Sequence, residues 1–286
     1  MDLLTHMFDR NPQTQQNWRR VKRNDPNFQH MLVCIAKNQR GKKSICAAAD
    51  IAQVGRDIGK NTALKDLSLD DLYCLDHGDV ILTRYMFALL CEGINSNQNI
   101  EELTISNFSD NQWQIGQCLG PFLANNPNLR SVCLMTGGGY TRSAQNMRLL
   151  VEPFLERDGP LDELCFIESG VDDDMVIALV DVFLKNPSLV PIKLQIAACG
   201  FGIVGCKALS KLLKSQNCPL ETLDIADNYV GDDGAICLAN ALKRNHVLKE
   251  LCLQGNRITS DGWKVFDKAS YHVSRQHECL SNFGRA

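Results

Sequence analysis

Residues 220–253 read LETLDIADNYVGDDGAICLANALKRNHVLKELCL, and this stretch decides the fold. Leu220, Leu223 and Ile225 have the spacing L-x-x-L-x-L, which predicts a short strand with buried alternate side chains. The glycine-rich and acidic segment Gly231–Gly234 then ends the strand. An apolar face at helical spacing follows, formed by Ala235, Leu238, Ala239 and Leu242. The strand pattern then restarts, so the stretch holds one structural period and the beginning of the next.

The same period extends over most of the chain. The third apolar residue of the strand motif recurs at eight positions 28 to 36 residues apart: Val33, Leu69, Ile105, Leu134, Phe166, Ile196, Ile225 and Leu253. A short polar residue stands three residues before the first apolar residue of each strand: Asp25, Asn61, Asn97, Asn126, Asp158, Asn186, Asn217 and Asn245. Such a side chain bonds its own backbone and turns the chain from helix to strand. Because both markers share one period, the sequence predicts a repeat protein.

The pattern resembles the leucine-rich repeat, specifically its long strand-plus-helix form found in ribonuclease inhibitor and related proteins. The resemblance covers about residues 25–266. It implies an α/β solenoid, a horseshoe or arc of about eight repeats, with parallel strands on the concave face and helices on the convex face. We expect residues 1–24 to be an N-terminal flank with a capping helix over 13–24, residues 25–270 to be the repeat domain, and residues 271–286 to be a polar C-terminal tail.

Two further patterns concern the helices. Acidic or hydroxyl residues stand where helices are expected to begin, and we predict that they accept hydrogen bonds from the first turn: Asp172 to Asp174, Asp232 and Ser260. Pro121 and Pro153 lie inside expected helices, where proline is predicted to kink or shorten them.

Composition disfavours several classes of function. The chain has 286 residues, 44% of them hydrophobic, and a formal net charge of −3. That charge is too small to favour nucleic acid, a membrane surface or an acidic substrate. Thirteen cysteines predict reduced core thiols in a cytoplasmic or nuclear protein, with a disulfide framework as the alternative. Residues 1–10 lack the apolar segment of a secretory signal, and no apolar run predicts a membrane span.

The strand positions between the buried apolar residues are the candidate binding surface. Side chains alternate along a strand, so these positions face the hollow of the arc and form columns across repeats. The predicted partner-binding residues on this concave face are Asp66, Ser68, Asp70, Glu102, Thr104, Met135, Glu163, Ile167, Lys193, Gln195, Asp224, Glu250 and Gln254. An apolar centre is formed by Cys133, Met135, Cys165 and Ile167.

Apolar residues at positions expected to face solvent can mark a binding patch. We therefore expect Met135 and Ile167 to contact a partner directly. The acidic residues Glu102, Glu163 and Glu250 are expected to attract basic groups of that partner. The alternative interpretation is a set of ordinary solvated strand positions, because scattered exposed apolar residues are normal.

No motif predicts catalysis, a cofactor or a metal. Gly41–Ser44 resembles a phosphate loop, but Ala36 replaces the required glycine, so we interpret it as a basic loop. Gly137–Gly139 has no accompanying lysine and is interpreted as a loosened turn. The basic run Arg19–Arg23 is interpreted as a solvated helix face, with contact to nucleic acid or an acidic partner, or a nuclear import signal, as alternatives. His272, His277 and Cys279 do not make up the four regularly spaced ligands of a zinc site.

The sequence therefore predicts a non-enzymatic protein-interaction module or scaffold that needs no cofactor. We expect a monomer that binds a protein partner with a basic surface, and neither nucleic acid nor a membrane. One alternative is regulation of a small GTPase, since some GTPase-activating proteins use a similar arc. Those proteins carry a strongly acidic tail, whereas residues 271–286 contain a single acid, Glu278. A second alternative is a repeat fragment of a larger receptor or sensor, because one scaffold hosts many functions.

Overall fold

The computed structural model describes residues 12–34, 48–70, 84–106, 113–135, 161–266 and 272–274, together with residues 152, 157 and 159. The chain divides into two compact units. The first unit comprises residues 1–139 and 156–158, and the second comprises residues 140–155 and 159–286. In each unit strands and helices alternate along the chain, as the sequence period predicts.

The first unit contains four parallel strands among its described residues. Its helices are α1 (Pro12–Lys22), α2 (Ala48–Lys60), α3 (Arg84–Ile94) and α4 (Trp113–Asn125). Its strands are β1 (His30–Cys34), β2 (Asp66–Asp70), β3 (Glu102–Ser106) and β4 (Ser131–Met135). Each strand pairs in parallel with the next in sequence. The register aligns Asp66 with Glu102 and Glu102 with Ser131, which confirms the predicted column within this unit.

The second unit has the same alternation with shorter periods. Its helices are α5 (Asp173–Lys185), α6 (Ile203–Leu213), α7 (Gly231–Leu242) and α8 (Ser260–Trp263), with 3-10 turns at Pro187–Leu189 and Lys264–Phe266. Its strands are β5 (Glu163–Ile167), β6 (Lys193–Ala197), β7 (Thr222–Asp224), β8 (Glu250–Cys252) and β9 (His272–Ser274). These strands also pair in parallel, each with its sequence neighbour. The parallel strands and intervening helices of both units confirm the predicted repeat solenoid.

The core of each unit lies between the strands and the helices. Leu223 and Leu251, the motif leucines of the deciding stretch, are both fully buried. In the first unit the predicted stripe of α2 is buried through Ile51, Val54 and Ile58. Because side chains point to alternate faces of a strand, each helix packs on the narrow apolar row that points toward it. Each repeat therefore completes its core with side chains of its neighbours.

Buried asparagines hold the turns that precede strands in the first unit. Asn97 accepts hydrogen bonds from the backbone N–H groups of Asn99 and Ile100, and its Nδ2 donates to the carbonyls of Ile58 and Asn61 in the preceding repeat. Asn61 and Asn126 make corresponding bonds, and Asn245 does so in the second unit. The predicted turn marker thus also cross-links neighbouring repeats. Asn217 is an exception because its side chain is exposed.

A second series of polar residues follows the strands of the second unit. Asn228 Nδ2 donates to the carbonyls of Ile196 and Ile225, while its Oδ1 accepts from the N–H groups of Cys199 and Gly200. Asn256 repeats the arrangement one period later, and its Oδ1 accepts from the N–H of Asn228. These buried amides form hydrogen bonds with backbone N–H and carbonyl groups beyond the strand ends, where strand pairing has stopped.

Acidic residues stabilise helix starts in two ways. Asp172 is the N-cap of α5, and its Oδ1 accepts from the N–H of Met175 at 3.0 Å, as predicted. Asp173 instead accepts from the N–H groups of Gly202 and Gly205 at the start of α6, 2.9 and 2.6 Å away. Asp232 likewise accepts from the N–H and the hydroxyl of Thr259, the N-cap of α8. These two carboxylates therefore support the helix of the following repeat.

Other expectations have mixed outcomes. The helix α1 (Pro12–Lys22) overlaps the capping helix expected over residues 13–24, and its side chains Trp18 and Val21 are buried. Pro121 does not shorten its helix, because α4 continues past it to Asn125. His272–Ser274 pairs with β8, so part of the expected polar tail is a strand. Several features lie outside the described residues: Gly41–Ser44, Gly137–Gly139, Pro153, Asp158, His277 and Cys279.

Candidate protein-binding surface

The strand face of the first unit carries acidic side chains on neighbouring strands. Asp66 and Ser68 on β2 are half-buried. At the paired positions on β3, Glu102 is exposed and Thr104 is half-buried. Asp66 also lies beside His30 of β1, with 3.1 Å between Oδ2 and Nδ1. The predicted acidic column is therefore present here, with one carboxylate in contact with an imidazole.

In the second unit the predicted column contains an ion pair between strands. Lys193 Nζ of β6 lies 2.5 Å from Glu163 Oε1 of β5. Burial disfavours the charged amine, but the hydrogen bond and the charge of Glu163 outweigh it, so the pKa of Lys193 is raised. The negative charge of Glu163 is thus already balanced by Lys193 within the protein. Its expected attraction for basic groups of a partner is correspondingly reduced.

Gln195 and Asp224 form a buried pair rather than an exposed binding surface. Each side chain is only 1% exposed, and Gln195 Nε2 donates to Asp224 Oδ2 at 2.9 Å. Burial raises the pKa of Asp224, although the N–H of Ala226 and the side chains of Cys252 and Gln195 oppose the shift by hydrogen bonding. The expectation that these two residues face solvent is wrong. Their strand neighbours cover them.

The expected apolar centre exposes fewer residues than predicted, because two of its four side chains are buried. Cys133 and Cys165 are 1% and 0% exposed, so neither presents its thiol at the surface. Met135 at the end of β4 and Ile167 at the end of β5 are each half-buried, the first in the first unit and the second in the second unit. Only these two apolar residues of the set contribute surface. The side chain of Asp70 lies outside the described residues.

The last described repeats of the second unit add two polar residues to its strand face. Glu250 on β8 and Gln254 two residues beyond β8 are both half-buried. The Oε1 atoms of Gln254 and Gln195 are buried and accept no hydrogen bond from any residue that the structure describes. Glu250 pairs in register with Thr222, which is also half-buried. This face of the second unit is therefore polar, with Ile167 as an apolar contribution.

An exposed aromatic residue of the second unit was not predicted from the sequence. Tyr229 is 54% exposed, and the guanidinium of Arg257 lies 4.3 Å from its ring centroid. The two residues follow Asp227–Asn228 and Gly255–Asn256 at equivalent places in successive repeats. Alignment of repeats could have placed them side by side. The period itself gives no reason to expect an aromatic ring there.

The basic run of α1 lines a cleft of the first unit. The cleft has a volume of about 700 Å³ and is lined by Gln16, Arg19, Arg20, Arg23, Asp25 and Pro26. Arg20 is engaged within it: Nε lies 2.7 Å from Asp25 Oδ2, and the guanidinium lies 4.8 Å from the centroid of Phe28. The hydrogen bond from Arg20 lowers the pKa of Asp25. The run is thus partly neutralised by neighbouring groups.

Searches for other kinds of site gave no candidate. No group of three or more metal-ligating side chains lies together among the described residues. None of the helices that the structure describes is long and apolar enough to cross a membrane.

The chain was compared with known proteins. A family model described as Leucine Rich repeat matches residues 216–239 and 244–266, which cover the stretch 220–253 except for residues 240–243. The human protein named "NACHT, LRR and PYD domains-containing protein 5" is 33% identical over 127 residues, or 43% of this chain and 10% of that protein. The mouse protein "NACHT, LRR and PYD domains-containing protein 9B" is 36% identical over 98 residues, or 34% of this chain and 10% of that protein. The chain thus spans about a tenth of the length of these relatives.

A solved structure supports the fold over a longer part of the chain. The crystal structure of a Bacteroides fragilis protein matches 90% of this chain and 67% of its own, with a TM-score of 0.55 and 17% sequence identity. At this identity the match concerns the fold alone. The ribonuclease-inhibitor-like subtype stays a prediction, because none of these similarities distinguishes it.

Proposed function

We propose that the chain, which carries leucine-rich repeats at residues 216–239 and 244–266, is a non-enzymatic module that binds a polypeptide partner through its strand faces. The observation that supports this proposal is the registered alternation of side chains on the strands. Leu67 and Leu103 are buried as a pair, while the paired residues beside them, Asp66 and Glu102, remain at least partly accessible. Such columns offer many modest contacts to an extended surface.

The charges on the two strand faces indicate which kind of partner surface they would bind. In the first unit Asp66 and Glu102 place two carboxylates on adjacent strands, about 4.8 Å apart in the pairing direction. In the second unit Glu163 is paired with Lys193, so Glu250 is the acidic contribution from that column. We therefore expect a partner with basic groups to contact the first unit at Asp66 and Glu102. Complementary charge acts mainly on the association rate and on specificity.

The apolar contacts can be tested separately in each unit. Ile167→Asp places a charge on the strand face of the second unit, and Met135→Asp does so in the first unit. Val204→Asp is a matched control, because Val204 is 44% exposed on helix α6 of the second unit. Partners are captured from the native cell extract, identified by quantitative mass spectrometry, and titrated in purified form against each variant. We expect at least a tenfold loss of affinity for Ile167→Asp or Met135→Asp, and none for Val204→Asp.

The charge contribution needs its own variants. Asp66→Asn combined with Glu102→Gln removes the acidic pair of the first unit with little change in shape. Glu92→Gln on the exposed side of α3 removes one charge away from the strands. We expect the double variant to slow association with the purified partner and to weaken its dependence on salt. Equal association rates for the double variant and Glu92→Gln would show that the partner does not use these carboxylates.

A second candidate is that the chain is the repeat portion of a larger receptor or sensor. The similarity to two proteins whose names combine NACHT, LRR and PYD domains favours this candidate, since the chain matches about a tenth of each. The mass of the endogenous polypeptide distinguishes the two candidates: a species far above 31.9 kDa supports the larger protein. Regulation of a small GTPase stays a prediction that a GTP hydrolysis assay tests. A cytoplasmic or nuclear location and a monomeric state also stay predictions.

A further inference from the structure

Two cysteine side chains meet between neighbouring helices of the first unit. Cys91 on α3 is fully buried, whereas Cys118 on α4 is only half-buried. The side chain of Cys91 lies near the sulfur of Cys118, close enough to stabilise its thiolate. One turn after Cys91, Asn95 Nδ2 donates to the carbonyl of Cys118 at 2.9 Å. The Asn95 hydrogen bond therefore fixes the turn of α4 that carries Cys118 against the end of α3, where Cys91 lies.

The two thiols have opposite acid–base properties. The hydrogen bond from Cys91 lowers the pKa of Cys118 to about 7, against the opposing effect of burial. Burial raises the pKa of Cys91 well above its ordinary value, and the interaction with Cys118 adds to this shift. At neutral pH about half of Cys118 is therefore thiolate, the form that reacts with oxidants. Cys91 remains a thiol and supplies the proton that stabilises this thiolate.

A matched cysteine in the second unit shows that position alone does not produce this pair. Cys118 lies 16 residues before the strand residue Leu134, and Cys237 lies 16 residues before Leu253. Both are half-buried on helices. The cysteine facing Cys237 across its helix pair is Cys206, whose pKa burial raises to about 12. The pKa of Cys118 is lowered, whereas that of Cys206 is raised.

We propose that Cys118 is a site of oxidative modification by peroxides, with Cys91 as the resolving thiol. In the first step the Cys118 thiolate attacks one oxygen of hydrogen peroxide, the O–O bond breaks, and a sulfenic acid and hydroxide form. In the second step the sulfur of Cys91 attacks the sulfur of Cys118, the S–O bond breaks, and the released hydroxide takes the Cys91 proton to give water. Two cysteines are oxidised to one disulfide and one peroxide is reduced.

Local backbone structure favours the second step. A disulfide requires the two sulfurs to approach to about 2.05 Å, which is closer than a hydrogen bond between thiols. Pro121 lies in α4 three residues after Cys118. Proline lacks the N–H that would bond the carbonyl one turn earlier, so α4 is less tightly tied near Cys118. The proposed disulfide requires this turn of α4 to move toward α3.

The test uses the reduced full chain at pH 7 with hydrogen peroxide, sampled over time. Both cysteines lie between Arg84 and Arg130 with no other basic residue between, so trypsin leaves them in one peptide. Cleavage after glutamate, at Glu92 and Glu101, separates them for non-reducing mass spectrometry. We expect the Cys91–Cys118 disulfide to be the first to form. Detection of any other disulfide before it, or of none, would overturn the proposal.

Variants distinguish the role of Cys118 as the attacking thiolate from the role of Cys91 as the resolving thiol. Cys118→Ser is expected to abolish peroxide consumption by this pair, while Cys237→Ser leaves the rate of Cys91–Cys118 formation unchanged. Cys91→Ser, which keeps a hydroxyl donor beside Cys118 but cannot form a disulfide, is expected to leave the sulfenic acid of Cys118 unresolved, so that a dimedone adduct accumulates there. Absence of this adduct would overturn the role of Cys91 as resolving thiol.

Alkylation of the unmodified chain requires no variant. The rate at which iodoacetamide alkylates Cys118 is expected to reach half its maximum near pH 7. At that pH the rate should be about threefold above that of an unperturbed peptide thiol, because the higher thiolate fraction outweighs the lower nucleophilicity of the thiolate. A half-maximum at the ordinary thiol pKa would contradict the proposal.

Discussion

The two units share an architecture but place their buried polar residues at different ends of the strands. In the first unit the described buried asparagines, Asn61, Asn97 and Asn126, precede strands. In the second unit Asn228 and Asn256 follow strands, and Asn245 alone repeats the first arrangement among the buried asparagines. In both arrangements the amide bonds the backbone of a neighbouring repeat. The comparison teaches that cross-linking between repeats, rather than a fixed position of the amide, is the common requirement.

The largest expected effect is at the post-strand asparagine of the second unit. Asn228→Ala leaves the carbonyls of Ile196 and Ile225 and the N–H groups of Cys199 and Gly200 without their side-chain partner. We expect the free energy of unfolding to fall by about 4 kcal/mol, measured by urea denaturation. Asn217→Ala is the control, because that side chain is exposed, and it should change stability by less than about 0.5 kcal/mol. Similar effects of both would refute the cross-linking role.

The corresponding test in the first unit is Asn97→Ala. It removes bonds to the carbonyls of Ile58 and Asn61 in the preceding repeat, and we expect a loss of about 3 kcal/mol. Hydrogen exchange measured by mass spectrometry should show faster exchange in α2 and α3. Gln53→Ala on the exposed side of α2 is the control and should leave exchange unchanged. If α2 keeps its protection in Asn97→Ala, the amide does not join the two repeats.

A smaller effect is expected at the acidic residues that support the next helix. Asp232→Ala removes the acceptor for both the N–H and the hydroxyl of Thr259, so we expect a loss of about 1 kcal/mol. Hydrogen exchange should increase in α8, which starts after Thr259. The neighbouring exposed Asp233 provides the control Asp233→Ala. An effect confined to α7, which contains Asp232 itself, would show ordinary capping rather than support of the following repeat.

The smallest expected effect concerns pH and the buried pair of the second unit. The folded-state pKa of Asp224 is raised above its ordinary value of 3.8 by burial, so folding binds its proton more tightly. Its contribution to stability is therefore greatest below pH 3.8 and is lost as the pH rises through the raised folded pKa. Asp224→Asn should gain stability relative to the original protein between pH 3.5 and pH 7. Denaturation at these two pH values measures the difference, and a constant difference contradicts the shift.

Much of the fold could be predicted from the sequence because its period is carried by large buried residues. Six of the eight predicted strand residues lie within strands, and Ile225 and Leu253 follow β7 and β8 directly. The period also predicted which residues share a column within each unit. It could not predict how deeply a column residue is buried, because that depends on the size of its neighbours. Gln195, Asp224 and Cys165 were misjudged for this reason.

Local chemistry accounts for the other differences. The pair Glu163–Lys193 could have been found by reading across the predicted column, since opposite charges there lie on adjacent strands. Asn217 shares its sequence position with buried asparagines, but the turn before β7 bonds Cys218 to Ser215 through the backbone instead. The role of Asp232 was not predicted, because an acidic residue at a helix start was expected to cap its own helix, whereas Asp232 bonds Thr259 in the following repeat.

The asparagine series also bears on how such an array can change in length. The Oδ1 of Asn256 accepts from the N–H of Asn228, and the Oδ1 of Asn228 accepts from the N–H of Cys199. Each repeat module therefore presents to the next the same donors and acceptors. Duplication of one whole module copies both the asparagine and the backbone groups that it bonds, so every amide keeps its hydrogen-bond partners. Insertion of half a module would separate an amide from its carbonyl in the dry interior. Growth or loss by complete modules is therefore the change that this chemistry tolerates.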